Sequence, residues 1–492
     1  EGEPFGKIVL PKSSRPDKVR RGAERQLKLF ARGKQLRSLL AEAYRAINNY
    51  FLDKVQKEAQ EVENEEREAE NADLVFEDEE KQLKIIVLSE DGVRVPASNL
   101  FYRFGNEFVV GELTYAHAVV CKQGMFENVE YETIVPLLVW ARYINGEIVE
   151  RNIKPYQMAQ KIEVSGKPVL VELKTRYAGT LSTLMSLETA KEFVNGTAEA
   201  PSWREAYESV VEAVKRFVSY YWDERLYRVN ACWILATYFP EVWPALPYLY
   251  YYGSSGMGKS RGAGTTAYIS RHGFVVTDPS EASLYRMAEA LRPSLCIDES
   301  LLGGHAWKLI RTAFKKGMMV PRVEKTSREE FVLSLFETYM PVVFASTERP
   351  SEIGGSEADE SRAIFIYMQR APDPIGRDPE VWDFQELREK LYLLRLLRAN
   401  EVIEALKKIE GVKLGLYGHD REVWLPLLTI ASLIGEDVYR DVLEYALETV
   451  AIKEAYQYQN EKVILRAILF MYRNAYREAI EEAEARGEKR VN

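Results

Sequence analysis

YLYYYGSSGMGKS, Tyr248–Ser260, decides how this chain is read. Gly253, Gly258, Lys259 and Ser260 fit the pattern G-x-x-x-x-G-K-[ST] of a phosphate-binding loop. The apolar, aromatic run before Gly253 predicts a buried strand, and the residues after Lys259 predict a helix. Gly253, Ser254, Ser255, Gly256, Met257 and Gly258 would wrap the phosphates, with glycine where the backbone comes close or takes positive φ. Backbone N–H groups and the helix N-terminus then face the anion. Lys259 would reach the terminal phosphates of ATP, and the Ser260 hydroxyl would ligate Mg²⁺.

A second apolar strand, Ser294–Ile297, ends in Asp298 and Glu299. Carboxylates at the C-terminal end of a parallel strand face the ligand crevice of an open α/β sheet. Asp298 would serve Mg²⁺ and Glu299 would position the attacking water, the main protein task in phosphoryl transfer. The plain alternative is an acidic pair capping the next helix. Between these motifs and beyond, apolar runs at 274–277, 341–347 and 363–368 alternate with helical stretches near 280–291 and 304–316. That alternation predicts a parallel sheet covered on both faces. Gly262 and Gly264 weaken the helix after the loop and would mark close packing.

Residues 318–335 read as a hairpin whose β-prone arms flank LysThrSerArg. Arg322 sits on the first arm, and Lys325 and Arg328 form a basic tip able to track a phosphate backbone. An ordinary solvated turn is the alternative. Arg362, before the strand AlaIlePheIleTyrMet, could reach a neighbouring subunit's nucleotide as an arginine finger. Its alternative is a surface pair with Asp359.

Outside this core the signals are coarser. The 492 residues are 46% hydrophobic, enough for several cores, and the net charge of −9 excludes a globally basic nucleic-acid binder. Three cysteines and four histidines, far apart, give neither a disulfide framework nor a zinc pattern. A reducing, cytoplasmic setting is expected. No apolar run approaches a bilayer span, and no membrane partner or secretory leader is expected. The chain opens on Glu1, so its numbering is expected to start inside a longer or trimmed chain. Abundant Glu, Lys and Arg hint at a thermophile.

Five segments are expected. Residues 1–75 would be helical, basic across Lys18–Arg37 and acidic across Glu61–Glu70. Residues 76–200 alternate in short runs with turns such as Asn145-Gly146 and predict a β-rich domain. Residues 201–245 form a helical, aromatic lead-in, 246–372 the α/β core, and 373–492 a helical C-terminal domain with long helices at 383–410 and 422–484.

Three stretches together resemble a known family. TDPSEASLYRM…RPSLCIDE (Thr277–Glu299), WKLIRTAFKKGMMVPRVE (Trp307–Glu324) and EVWLPLLTIASLIG (Glu422–Gly435) resemble plasmid- and phage-type primase–helicase ATPases. The motif order also resembles superfamily 3 helicases within the AAA+ class, over roughly residues 240–440. The resemblance implies an AAA+-like P-loop ATPase core and a hexameric ring that hydrolyses ATP with Mg²⁺ to move along DNA for a mobile element. In such a ring the hairpin tips would converge on a central channel, and Arg362 would act in trans. Ser346 or Thr347 would sense the γ-phosphate, where the family often has Asn. No primase or polymerase signature appears upstream. A machine that remodels a protein partner and a nucleotide-dependent scaffold are the alternatives.

Overall fold

The computed structural model describes residues 72–78, 83–88, 93–123, 128–173, 183–277, 279–298, 304–325, 331–353, 355–372, 376–453, 468 and 471–472. The basic and acidic stretches expected before residue 71 lie outside the described residues. The chain divides into two compact units, residues 1–91 and 92–492. In the first, β1 (Ala72–Asp78) pairs antiparallel with β2 (Leu83–Leu88).

The second unit opens with β3 (Val93–Pro96), β4 (Phe101–Phe104), β5 (Glu107–Gln123), β6 (Asn128–Ile144), β7 (Glu147–Pro155), β8 (Lys161–Val164) and β9 (Lys167–Glu172). A four-stranded sheet runs β4-β5-β6-β7 and a three-stranded one β3-β9-β8. β3, β4, β8 and β9 are short, as the sequence runs predict, but β5 and β6 pair along 17 residues each. Asn145 and Gly146 both take positive φ, 53° and 87°, which a two-residue turn needs to follow strand twist.

Next come α1 (Leu187–Asn195), α2 (Trp203–Lys215) and α3 (Arg225–Ala236). Ser202 and Glu205 form a reciprocal capping box at the start of α2. The helical lead-in expected over 201–245 is broken, and α2 stops at Lys215. Phe217 and Val218 are buried in the turn that follows.

The core sheet contains β10 (Tyr248–Tyr252), β11 (Phe274–Val276), β12 (Leu295–Asp298), β15 (Val342–Ser346) and β16 (Ala363–Tyr367). They lie in the order β11-β12-β15-β10-β16 and every pairing is parallel. This is the parallel sheet that the alternation of apolar runs predicts. Its connections include α4 (Lys259–Ile269), α5 (Glu281–Leu291), α6 (Gly304–Ala313) and the hairpin of β13 (Met319–Lys325) and β14 (Phe331–Glu337). A single turn, α7 (Glu357–Glu360), precedes β16. After the core, α8 (Gln385–Glu410) and α9 (Gly418–Ile434) pack on each other and against α2, and α9 packs also on α3. The long helix expected from 422 is interrupted at Gly435, whose φ of 154° suits glycine, and helix resumes at 436.

Candidate functional site

The loop after β10 needs its glycines. Gly253, Gly256 and Gly258 have φ of 156°, 77° and 83°, backbone that side-chain-bearing residues rarely adopt. A Cβ on Gly253 would also stand 2.8 Å from the Met368 carbonyl oxygen. Gly258 caps α4 in the left-handed region, so the helix N-terminus opens directly from the loop. Ser254, Ser255 and Gly256 are exposed, Met257 half-buried. Lys259 is 3% exposed and its Nζ donates to the Ser254 carbonyl at 2.9 Å, inside the curve of the loop. Ser260 is exposed in the first turn of α4.

Strand register brings the second motif to the same edge. Asp298 pairs with Ala345, and Ala345 with Tyr251. Residues in one row share a face of the sheet, so Asp298 stands on the face of Tyr251, the face that α4 covers. Two strand spacings, roughly 10 Å, separate β12 from β10. Ser260 and Asp298 offer hard oxygen donors, and Mg²⁺ is commonly held by one or two carboxylates with substrate phosphates. These residues therefore fit the expected ion. Glu299 lies outside the described residues.

The sensor pair divides. Ser346 ends β15 in the row of Tyr252 and Tyr367, on the other face of the sheet, and its Oγ accepts from the Glu348 N–H at 3.1 Å. Thr347, one residue on, is exposed.

Arg362 stands at the opposite end of the sheet from the loop. It precedes Ala363, which pairs with Tyr248 at the start of β10, and the Tyr248 N–H donates to its carbonyl at 3.0 Å. The loop begins after Tyr252, roughly 15 Å further along the strand. The Arg362 guanidinium donates to the Ala358 carbonyl at 2.5 Å, lies 3.5 Å from Asp359 and sits 5.7 Å from the Phe314 ring centre. Asp359 is held mainly by Arg311, at 2.8 and 2.9 Å.

The hairpin has two unlike faces. Arg322 points inward, ion-paired with Glu281 of α5 and stacked 5.3 Å over Tyr285, while Phe336 packs on the same ring at 4.5 Å. The outward face carries Met319, Val323, Leu333 and Leu335, each more than half exposed, and Phe331 at 76%. Arg328 lies outside the described residues, and Lys325 is described only as the last residue of β13.

Two buried polar clusters support the site, and the sequence showed neither. Under α4, Tyr251 bonds Thr266 at 2.7 Å and Tyr220 at 2.8 Å, and Asn230 of α3 donates to both tyrosine hydroxyls. At the far end of α4, Arg271 donates to both carboxylate oxygens of Glu112, at 2.6 and 3.1 Å. Arg395 of α8 reaches the same carboxylate at 2.5 Å and Glu241 at 2.9 Å. His272 Nε2 meets Glu112 at 3.1 Å. Burial would raise the Glu112 carboxyl, but Arg271, Arg395 and His272 hold it well below the usual carboxylate range. Burial, then Arg271, pushes His272 below its ordinary value. Such a cluster needs partners from distant segments, and spacing along the chain does not reveal them.

No family model matches the chain. No curated protein matches it either. Among solved structures it is similar to one described as "SCCmec type IV Cch - active helicase", at 10% sequence identity and a TM-score of 0.31, over 72% of this chain and 78% of that one. Another is described as the A form apo structure of the NrS-1 C-terminal region. It has 10% identity and a TM-score of 0.26, over 63% of this chain and 70% of that one.

Proposed function

We propose that the chain is an ATP-hydrolysing, ring-forming DNA helicase or translocase, serving the replication of a plasmid, virus or other mobile element. The observation that carries it is the loop Gly253–Ser260. Three positive-φ glycines, an inward Lys259 and a helix N-terminus follow a central strand, with Asp298 on the same face of the sheet. Loop N–H groups and Lys259 would hold the phosphates of ATP. Ser260 and Asp298 would hold Mg²⁺, which when bound neutralises phosphate charge. Glu299 would orient the attacking water, and Thr347, rather than Ser346 with its hydroxyl on the far face, would contact the γ-phosphate.

Arg362 is read as acting in trans. Roughly 15 Å of strand separates it from its own loop, so a contact with phosphate would need a neighbouring copy. In a hexameric ring it would serve the adjacent site. Lys325 and Arg328 would follow the DNA backbone in the channel. The test is ATP-driven displacement of streptavidin from a biotinylated single strand. Displacement that needs ATP and disappears in Lys259→Ala supports translocation. An active ATPase that never displaces streptavidin from either strand end contradicts it.

One observation favours a second reading, a machine acting on protein. The outward hairpin face is apolar, with Phe331 and Leu333 strongly exposed. Exposed apolar patches of this kind mark protein contacts. ATPase that ignores DNA but rises with an unfolded polypeptide would select this reading.

A further inference from the structure

A cleft of about 260 Å³ opens beside the loop. Gly256, Met257 and Gly258 form one wall, the turn after α2 a second, and the chain leaving β16 a third. Phe217, Val218 and Met368 give it apolar sides, each at least nine-tenths buried. Phe384 backs Phe217 edge-on at 5.4 Å, which fixes that wall. Met368 is tied to the loop's own strand, since its N–H donates to the Tyr252 carbonyl at 2.7 Å. Phosphate loop and cleft thus share one frame. Ligand clefts are typically apolar slots with a few placed polar groups. Here the polar lining is Ser219, Arg261, Arg370 and, at the rim, Gln369; the Arg261 Nε donates to Asp378 at 2.8 Å.

With the P-loop taken as the phosphate site, we infer that this cleft seats the base of the nucleotide and that Gln369 reads its hydrogen-bonding edge. An amide side chain carries one acceptor and one donor group side by side. That matches adenine, which presents its amino group beside a ring nitrogen, and is the pairing by which Gln selects adenine in nucleic acids. No carboxylate is among the residues that line the cleft, so guanine's two donors meet no charged acceptor. The Tyr221 hydroxyl donates to Gln369 Oε1 at 3.4 Å. With the amide in that orientation, Nε2 is left to donate to the base. The second lone pair of Oε1 accepts from the base's amino group. Tyr221 is therefore a positioning residue.

The experiment is calorimetric titration of the full chain with ATP, GTP and inorganic tripolyphosphate, for the natural chain, Gln369→Ala, Gln369→Glu and Tyr221→Phe. ATP is expected to bind roughly tenfold to a hundredfold more tightly than GTP, the range for one bidentate base contact. Gln369→Ala closes that gap and leaves tripolyphosphate unchanged. Gln369→Glu shifts preference towards GTP, and Tyr221→Phe narrows the gap in part. Equal binding of ATP and GTP to the natural chain, or a gap that Gln369→Ala does not move, overturns the base seat while tripolyphosphate binding preserves the phosphate site. Failure of all three ligands to bind overturns both.

Discussion

Gly262 of α4 rests directly on the ring of Tyr251: a Cβ at that position would stand 2.6 Å from the ring's Cε1. This contact sets how close the helix behind the phosphate loop lies to the strand before it. Gly264, two residues on, has only ordinary contacts, the nearest 3.8 Å away on Val275. The two glycines should therefore respond oppositely. Gly262→Ala forces the ring or the helix to move and should cost about 1–3 kcal/mol. ATP affinity should fall with it. Gly264→Ala gains helix propensity and should stabilise by about 0.5–1 kcal/mol. Denaturant titrations and ATP binding on the two variants check both signs.

The Glu112 cluster makes stability depend on acid. His272 has a folded pKa below its ordinary value, so the unfolded chain binds the extra proton first. Stability should decline as pH falls below about 6.5 towards the folded pKa. Glu112 is also depressed, and its contribution is present above about pH 4.3 and is lost as pH falls further. Melting temperature against pH should show both windows. His272→Asn, which tolerates the positive φ of 50° at that position, should remove the upper one. Glu112→Gln leaves buried arginines short of a partner and should cost about 3–5 kcal/mol at neutral pH.

Arg362→Ala should fold, because Asp359 keeps its bidentate partner Arg311. Its ATPase should be low alone. Mixing it with Lys259→Ala should restore activity, since a mixed ring pairs an intact loop with an intact arginine. Inactivity in every mixture would assign Arg362 to its local contacts with Ala358 and Phe314.

The hairpin separates the two readings of function. Lys325→Ala with Arg328→Ala should spare basal ATPase and abolish stimulation by DNA. Phe331→Ser with Leu333→Ser should leave that stimulation intact if DNA is the substrate. The reverse pattern would move the substrate contact to the apolar face.

Local chemistry was the legible part. Tyr248–Ser260 announces strand, loop and helix because each needs particular residues in sequence, and the five parallel strands follow from apolar runs alternating with helical ones. The face of each side chain was not legible. Arg322 looked like part of a basic arm, yet the pairing of β13 with β14 turns it towards Glu281. Ser346 and Thr347 could be separated only by the row shared with Tyr252. Glu112, Arg271 and Arg395 are scattered along the chain and meet only once it folds. The cleft walls Phe217 and Gln369 carry no motif, because a base seat needs shape rather than a fixed spacing.

The central claim is ATP turnover coupled to DNA, and steady-state ATPase with and without single-stranded and duplex DNA tests it most directly, run at raised temperature beside Glu299→Gln. Strong stimulation by DNA, absent in Glu299→Gln although that variant still binds ATP, is the predicted result. A rate that is the same with and without either form of DNA would contradict it.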